Sequence, residues 1–596
     1  MRTSSLLICC CIIAISVNDA PAAPDQSLVT IAEQTGFRET GRYAEVGNLC
    51  KAFVASYPKR ARCFDMGTTP EGRTMWALAA SNDSTLTPEL AQKRKRPSIV
   101  AQGGIHAGEI DGKDAGFMFL RELLEDENRG AVLDTVTFVF VPVFNVDGHE
   151  RFGRWNRPNQ SGPEAMGWRT TAQNLNLNRD YIKADTPEMQ AMLRLLNAWD
   201  PMVYVDLHVT DGADFEHDIS ITTEPSGAGD PDLMVLAVDI RDQVITHLAG
   251  SGSLPLPYYP SFVVEDDPAS GFAIKPAGPR YSDSYWGLHN RVGMLVETHS
   301  WKPYPYRVRT TLETLRGLSA AAAMHAPRWR KTLDAVDARE AKANGALIAL
   351  QFDNTNDVRM VDFRGYKYQR SYSEISGTLM TRYDPAQPEN WHLPMRDRVR
   401  ATLEIPAPRG GYVIPPLVAK WLVPKIELHG IRTQPLHRID PASVSAWRAT
   451  NVTLATASFE GRVETRLSGA WTAEPLTIEK HSVFVPIAQP NARLIMALLE
   501  PEAPDSLAAW GFFPTAFERK EYMESYVAEQ VAREMLAQEP KLAEQFTRRL
   551  QEDPAFASDP KARLDFFYRR HPSWDTRYNL YPVLRIDAVS SSNGEP

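Results

Sequence analysis

Cysteine is scarce in this chain: five in 596 residues, and Cys9, Cys10 and Cys11 stand together near the start. Five cysteines allow at most two pairs, so a dense disulfide framework is excluded. An excess of basic charge is also missing. Lys and Arg number 65 against 74 Asp and Glu, giving a formal charge of −9 and a pI near 5.9, which argues against a nucleic-acid partner. After the N-terminus no stretch approaches the ~18 uninterrupted apolar residues that a membrane-spanning helix needs. Internal repeats and low-complexity tracts are absent as well.

What the chain does have begins at its first residues. "MRTSSLLICCCIIAISVNDAPAAPDQ" carries Arg2, an apolar stretch from Ser5 to Val17, then the small residues of "APAA". That is the layout of a secretory leader, with cleavage expected near Ala22 or Ala23. The expectation is an exported chain, periplasmic or extracellular, without a membrane span once mature. Cys50 and Cys63 then remain as an even pair, for which a disulfide is expected in an oxidising compartment.

Strand and helix patterns alternate from about Asp25 to Glu340. "PSIVAQGG" (Pro97–Gly104) is a short strand closed by a Gly pair, and Asp111–Glu127 follows with helical spacing of Ala115, Phe119 and Leu123. "VTFVFVPVFN" (Val136–Asn145), "MVYVDLHV" (Met202–Val209) and "VGMLVETHS" (Val292–Ser300) read as buried strands. Helices are expected at Thr186–Trp199, with Thr186 capping and Pro187 first, at Asp232–Leu248 and at Arg309–Asn344. The pattern predicts an α/β fold: a mostly parallel, mixed sheet flanked by helices. Residues 24–340 form this first domain. Alternation in twos, broken by Gly, Asn and Pro, predicts a β-rich domain over 346–490, and 491–596 reads as mainly helical, with Phe517–Gln538 its clearest helix.

The chemistry starts at "GGIHAGEIDG" (Gly103–Gly112). A chain with 13 histidines yields about one His-x-x-Glu by chance, and this chain has one, so the pair alone is weak. Its place is more telling, at the carboxyl end of a predicted strand, where open α/β sheets bind their ligands. His106 and Glu109 can converge on one zinc ion, and a catalytic zinc takes three protein ligands and leaves a position for water. His208, ending another strand, supplies the third, with Asp206 two residues earlier as its orienter. Glu297 lies in an apolar strand, where an unpaired carboxylate is costly unless it has work to do, and it is the expected base. His299 on the same strand is a rival ligand. Asn178 and Arg179 in "AQNLNLNRDY" offer a planar fork and a neutral donor for a terminal carboxylate. Arg154, Arg157 and Arg169 are candidates to stabilise an oxyanion.

This set of motifs resembles the M14 zinc carboxypeptidases, the carboxypeptidase A class, over about residues 35 to 330. His-x-x-Glu after a strand, Asn-Arg, a distant His and a late Glu occur in that family's order, and "FNVDGHE" (Phe144–Glu150) is similar to its "NPDG" stretch. The resemblance implies that His106, Glu109 and His208 bind one zinc per chain. It implies that Glu297 deprotonates the attacking water and later protonates the leaving amine, and that Asn178 and Arg179 grip the substrate's C-terminal carboxylate. Either Arg157 or Arg169 matches the family's oxyanion arginine, and spacing from "NVDG" favours Arg157. Tyr281 is expected to cap the substrate, with Tyr285 an alternative, and the residue selecting the terminal side chain falls near Ser282 or Asp283. An acid at Asp283 would favour a basic or amine-bearing end. One departure stands out: Asn176 occupies the position where the family has an Asp orienting the first zinc histidine, so that Asn176, or Asp111 in its stead, must do so here.

The C-terminal half lies outside the family's catalytic domain and is similar to tails of large exported bacterial M14-like proteins. The aromatic cluster Trp510, Phe512, Phe513 and Phe517 within it is expected to be core. The reading as a whole is an exported zinc carboxypeptidase acting on peptides with a free C-terminal carboxylate, from nutrients or from cell-wall stem peptides. Two alternatives stand beside it: an amidohydrolase or deacylase using the same zinc and base, and a catalytically silent peptide- or wall-binding protein.

Overall fold

The computed structural model describes residues 26–587 apart from 228, 437–443 and 477; the expected leader, residues 1–23, lies outside the described residues. Nine strands come from the first part of the chain: β1 (Ala61–Thr68), β2 (Thr74–Ala80), β3 (Ser98–Gly103), β4 (Thr137–Val141), β5 (Val203–Val209), β6 (Ile219–Glu224), β7 (Pro255–Leu256), β8 (Phe272–Ala273) and β9 (Val292–Thr298). All but β8 join one sheet in the order β1-β2-β4-β3-β5-β9-β6-β7. Its centre, β4-β3-β5-β9, is parallel, and antiparallel pairs flank it on both sides. The sheet is therefore mixed, with a parallel middle.

The central strands are apolar because both faces are covered. Every residue of β3, β4 and β5 is buried, under helices that include Asp111–Glu125, Pro187–Trp199, Pro231–Gly250 and Tyr304–Glu340. Local signals set the ends of these helices. Thr186 accepts a hydrogen bond from the Met189 N–H and Pro187 opens the helix behind it, as the sequence pattern predicts. The long helix starts at Tyr304, five residues before the predicted Arg309, because its first turn tolerates Pro305, which needs no hydrogen-bond partner there.

The C-terminal half is less modular than its composition suggests. β10 (Leu347–Asn354) pairs with β13 (Val399–Pro406), and β11 (Arg359–Tyr372) with β12 (Leu379–Arg396) form a long hairpin whose base adds to β8. A six-stranded sheet follows, built from β14 (Gly411–Ile414), β15 (Gln434–Pro435), β16 (Val444–Leu454), β17 (Thr465–Ala473), β18 (Val483–Pro486) and β19 (Leu584–Ile586). β19 lies between β14 and β16. The described residues after 490 therefore contribute β19 to the same sheet as β14 and β16. The helix Ala492–Leu499 packs in the same apolar core as the first sheet, and so do Trp510, Phe513 and Phe517 of the aromatic cluster. The predicted helix from Phe517 starts only at Ser525, after a short turn over Pro514–Phe517.

Cys50, buried in the helix Tyr43–Ser56, is disulfide-bonded to Cys63 in β1, 13 residues away. The bond ties a peripheral helix to the edge strand of the main sheet. Cys63→Ser is expected to remove about 3 kcal/mol of stability. The check is the thermal midpoint of the variant, which reductant should reproduce in the unmodified protein.

Candidate active site

The parallel centre of the sheet decides where the site forms. β3 ends in a turn at Gly104, whose φ of +62° is a conformation glycine adopts without strain, and the chain then curls through His106 to Glu109. The Glu109 N–H donates to the His106 carbonyl at 2.9 Å, which brings the two side chains to one side. β5 runs beside β3 and carries His208 as its next-to-last residue, and Glu297 on β9 lies in register with His208. Four functional side chains thus meet at the carboxyl ends of three adjacent strands.

His106 Nδ1 and His208 Nδ1 each lie 2.9 Å from a different oxygen of Glu109. The far nitrogens point outward, His106 Nε2 to Asn176 Oδ1 at 3.1 Å and His208 Nε2 to Asp206 Oδ2 at 2.8 Å. Ser282 Oγ in turn donates to Asp206 Oδ2 at 2.6 Å. Both imidazoles are so oriented that Nδ1 is the inward nitrogen. Zinc bonds of about 2.1 Å place ligand atoms roughly 3.4 Å apart in a tetrahedron. The inward nitrogens and the carboxylate, all within 4.8 Å of one another, fit such an ion with small displacements.

Burial and charge act together here. Burial lowers the His106 imidazole to about 4. Burial would lower His208 too, but the Asp206, Glu109 and Glu297 carboxylates lift it well above the usual range. Burial alone would raise Glu109, yet Arg157 and the two histidines hold it well below the ordinary carboxylate value. Burial pushes Glu297 up to about 8, and its Oε2 has no hydrogen-bond partner in the structure.

A cavity of about 830 Å³ opens over this group, and His106, Glu109, Arg169, Asn178, Arg179, His208, Tyr281 and Glu297 all face it. Asn176 Oδ1 accepts from the Asn178 N–H at 2.9 Å and so fixes the turn that presents Asn178 and Arg179. The Arg179 guanidinium lies 4.4 Å over the Tyr281 ring and has no carboxylate within ion-pair distance among the described residues. Asn178 Oδ1 is likewise buried without a partner.

Several residues sit elsewhere than the sequence pattern suggests. Arg157, favoured by spacing for the oxyanion, does not line the cavity. It packs behind the site, with Nη1 2.9 Å from Glu109 and Nη2 donating to the Val209 and Thr210 carbonyls, while Arg169 is the arginine that faces the cavity. The bridge between Gly153 and Met166 folds the intervening loop back, so the arginine that counting from "NVDG" favours is not the one that lines the cavity. Asp111 does not stand in for Asn176, because Arg307 and Thr298 already occupy its oxygens. His299 stacks on Phe215 at 4.1 Å and is not part of the metal-binding trio. Tyr285 is fully buried and hydrogen-bonded to His429, away from the cavity. Tyr259, missed in the sequence, lines the cavity, and burial together with the Glu297, Asp211 and Glu109 carboxylates pushes its phenol well up. Arg359, Met395, Asp397 and Val399 extend the wall from the second half of the chain, a contribution with no local signal in the sequence.

A His–Glu–His trio at strand ends, with an unpaired carboxylate and an Asn-Arg pair facing the same cavity, is a donor set that fits one metal ion. Residues 46–214 match the model of the zinc carboxypeptidase family Peptidase_M14. Carboxypeptidase 2 of Trichophyton tonsurans is 23% identical over 74% of this chain and 77% of its own length. The inactive metallocarboxypeptidase ECM14 of Saccharomyces cerevisiae is 33% identical over 19% of this chain and 27% of its own. Among solved structures, carboxypeptidase A from Helicoverpa armigera matches 49% of this chain and 75% of its own, at 17% identity and a TM-score of 0.36.

The trio predicts one tightly held zinc per chain. His208→Ala should lose it, as read by elemental analysis of the purified protein; a full equivalent of zinc in that variant would remove His208 from the ligand set.

Proposed function

We propose that the protein is an exported, zinc-dependent carboxypeptidase that hydrolyses the last peptide bond of peptides ending in a free carboxylate. The observation that carries this reading is the sharing of one cavity by the trio, the unpartnered Glu297 and the unpaired Asn178–Arg179 grip. His106, Glu109 and His208 would hold the zinc, which when bound acidifies a water and polarises a carbonyl. Arg179 receives the substrate's terminal carboxylate through its planar fork, and Asn178 adds a neutral hydrogen bond. Arg169 faces the reacting carbonyl and stabilises the charge that develops on its oxygen. Glu297 takes the proton of the attacking water and returns it to the leaving amine. The disulfide between Cys50 and Cys63 and the leader-like N-terminus support an exported, oxidising location.

A silent binding protein would gain nothing from a buried carboxylate left unpaired beside the trio, since such a group costs stability. Glu297→Gln should therefore keep zinc, measured by elemental analysis, and lose turnover by at least ~100-fold. Undiminished turnover would exclude Glu297 as the base.

The cavity also carries a preference. Lys275, Arg241 and Arg359 on its walls are paired with Asp353, Asp242 and Asp397. Asp283 and Glu224 have no cationic partner among the described residues, and burial pushes them up to about 6 and about 8. A cationic side chain entering between them would restore their charge. Mass spectrometry of a mixed peptide pool with wall muropeptides is expected to show release of basic or amine-bearing C-terminal residues first. Amidated counterparts are expected to survive; equal cleavage of amidated peptides would point instead to an amidase.

A further inference from the structure

The turn that carries Asn176 is held from behind by the other half of the chain. The loop joining β16 to β17 reaches across to it, and Glu460 Oε2 accepts the Asn176 N–H at 2.8 Å. Asn176 is the residue whose side chain supports His106 and caps the turn of Asn178, so this contact bears on both the metal trio and the carboxylate grip.

The loop is built to aim that one side chain. Phe459 and Arg462 exchange backbone hydrogen bonds of 2.7 and 3.0 Å, closing a tight turn with Glu460 and Gly461 at its tip. Glu460 adopts φ of +48°, a left-handed conformation unfavourable for a residue with a long side chain. The turn is bolted down on both sides. Arg462 makes a two-pronged pair with Asp185 at 2.7 and 2.9 Å, and Arg280 pairs with Glu464 and Asp505 while covering the Phe459 and Trp510 rings.

Given the proposed carboxypeptidase activity, we propose that Glu460 is a positioning residue, and that the C-terminal sheet completes the active site by fixing the turn of Asn176 through it. The interaction compensates for the neutral Asn at 176. An amide oxygen orients His106 less firmly than a carboxylate would, and a clamped backbone restricts how far that amide can turn.

The test uses the full chain with Glu460→Ala, Glu460→Asp and Glu460→Gln. Asp tolerates the left-handed conformation but falls short by one methylene, whereas Gln keeps an accepting oxygen at the same reach. Ala and Asp are expected to speed amide hydrogen exchange over residues 175–179 and to weaken zinc retention against a chelator, each by about tenfold. They should also raise KM for free-carboxylate peptides more than they lower kcat. Gln should restore exchange and zinc retention. Unchanged exchange and zinc retention in Ala and Asp would overturn the proposal, as would Gln failing as badly as Ala. Exchange and zinc retention are read without substrate, so a wild-type protein that binds zinc but cleaves no peptide would count against the proposed activity alone.

Discussion

The site is organised around one buried carboxylate. Glu109 is 2% exposed, and a charge so placed is tolerable only if every lone pair is used. Its two oxygens face two imidazoles, the Val209 N–H and Arg157, so the end of β3, the end of β5 and a distant loop are all positioned by the same group. The fold brings these parts together because β3 and β5 are parallel neighbours whose carboxyl ends coincide. Glu297 follows from the same alignment, one strand further on and level with His208.

Support for the trio extends outward through single residues that serve two masters. Ser282 holds Asp206, which holds His208, and the next residue, Asp283, faces the cavity. Asn176 holds His106 with its side chain and meets Glu460 with its backbone. On the proposed function, metal support, carboxylate grip and terminal side-chain choice are linked through these shared residues.

Much of this was legible in the sequence where the information is local. His106 and Glu109 share a turn, Asn178 and Arg179 are adjacent, and His208 and Glu297 stand out as polar residues in apolar strands. The choice between Arg157 and Arg169 was not, because it depends on how a loop folds back between Gly153 and Met166. The C-terminal half was harder still. Its helix Ala492–Leu499 has a clear apolar pattern, but nothing in that pattern says that it packs against the first core. Glu460 and Asn176 are 284 residues apart in sequence, and such a pairing leaves no trace in spacing or composition.

β19 is only three residues long, yet it lies between β14 and β16 and, among the described residues, is the one strand that hydrogen-bonds to both. Without it the C-terminal sheet would fall into two separate ribbons, and the one bearing the 455–464 loop would rest on contacts outside the sheet ladder, among them the Arg462–Asp185 pair and the Thr465 N–H bond to the Ala509 carbonyl.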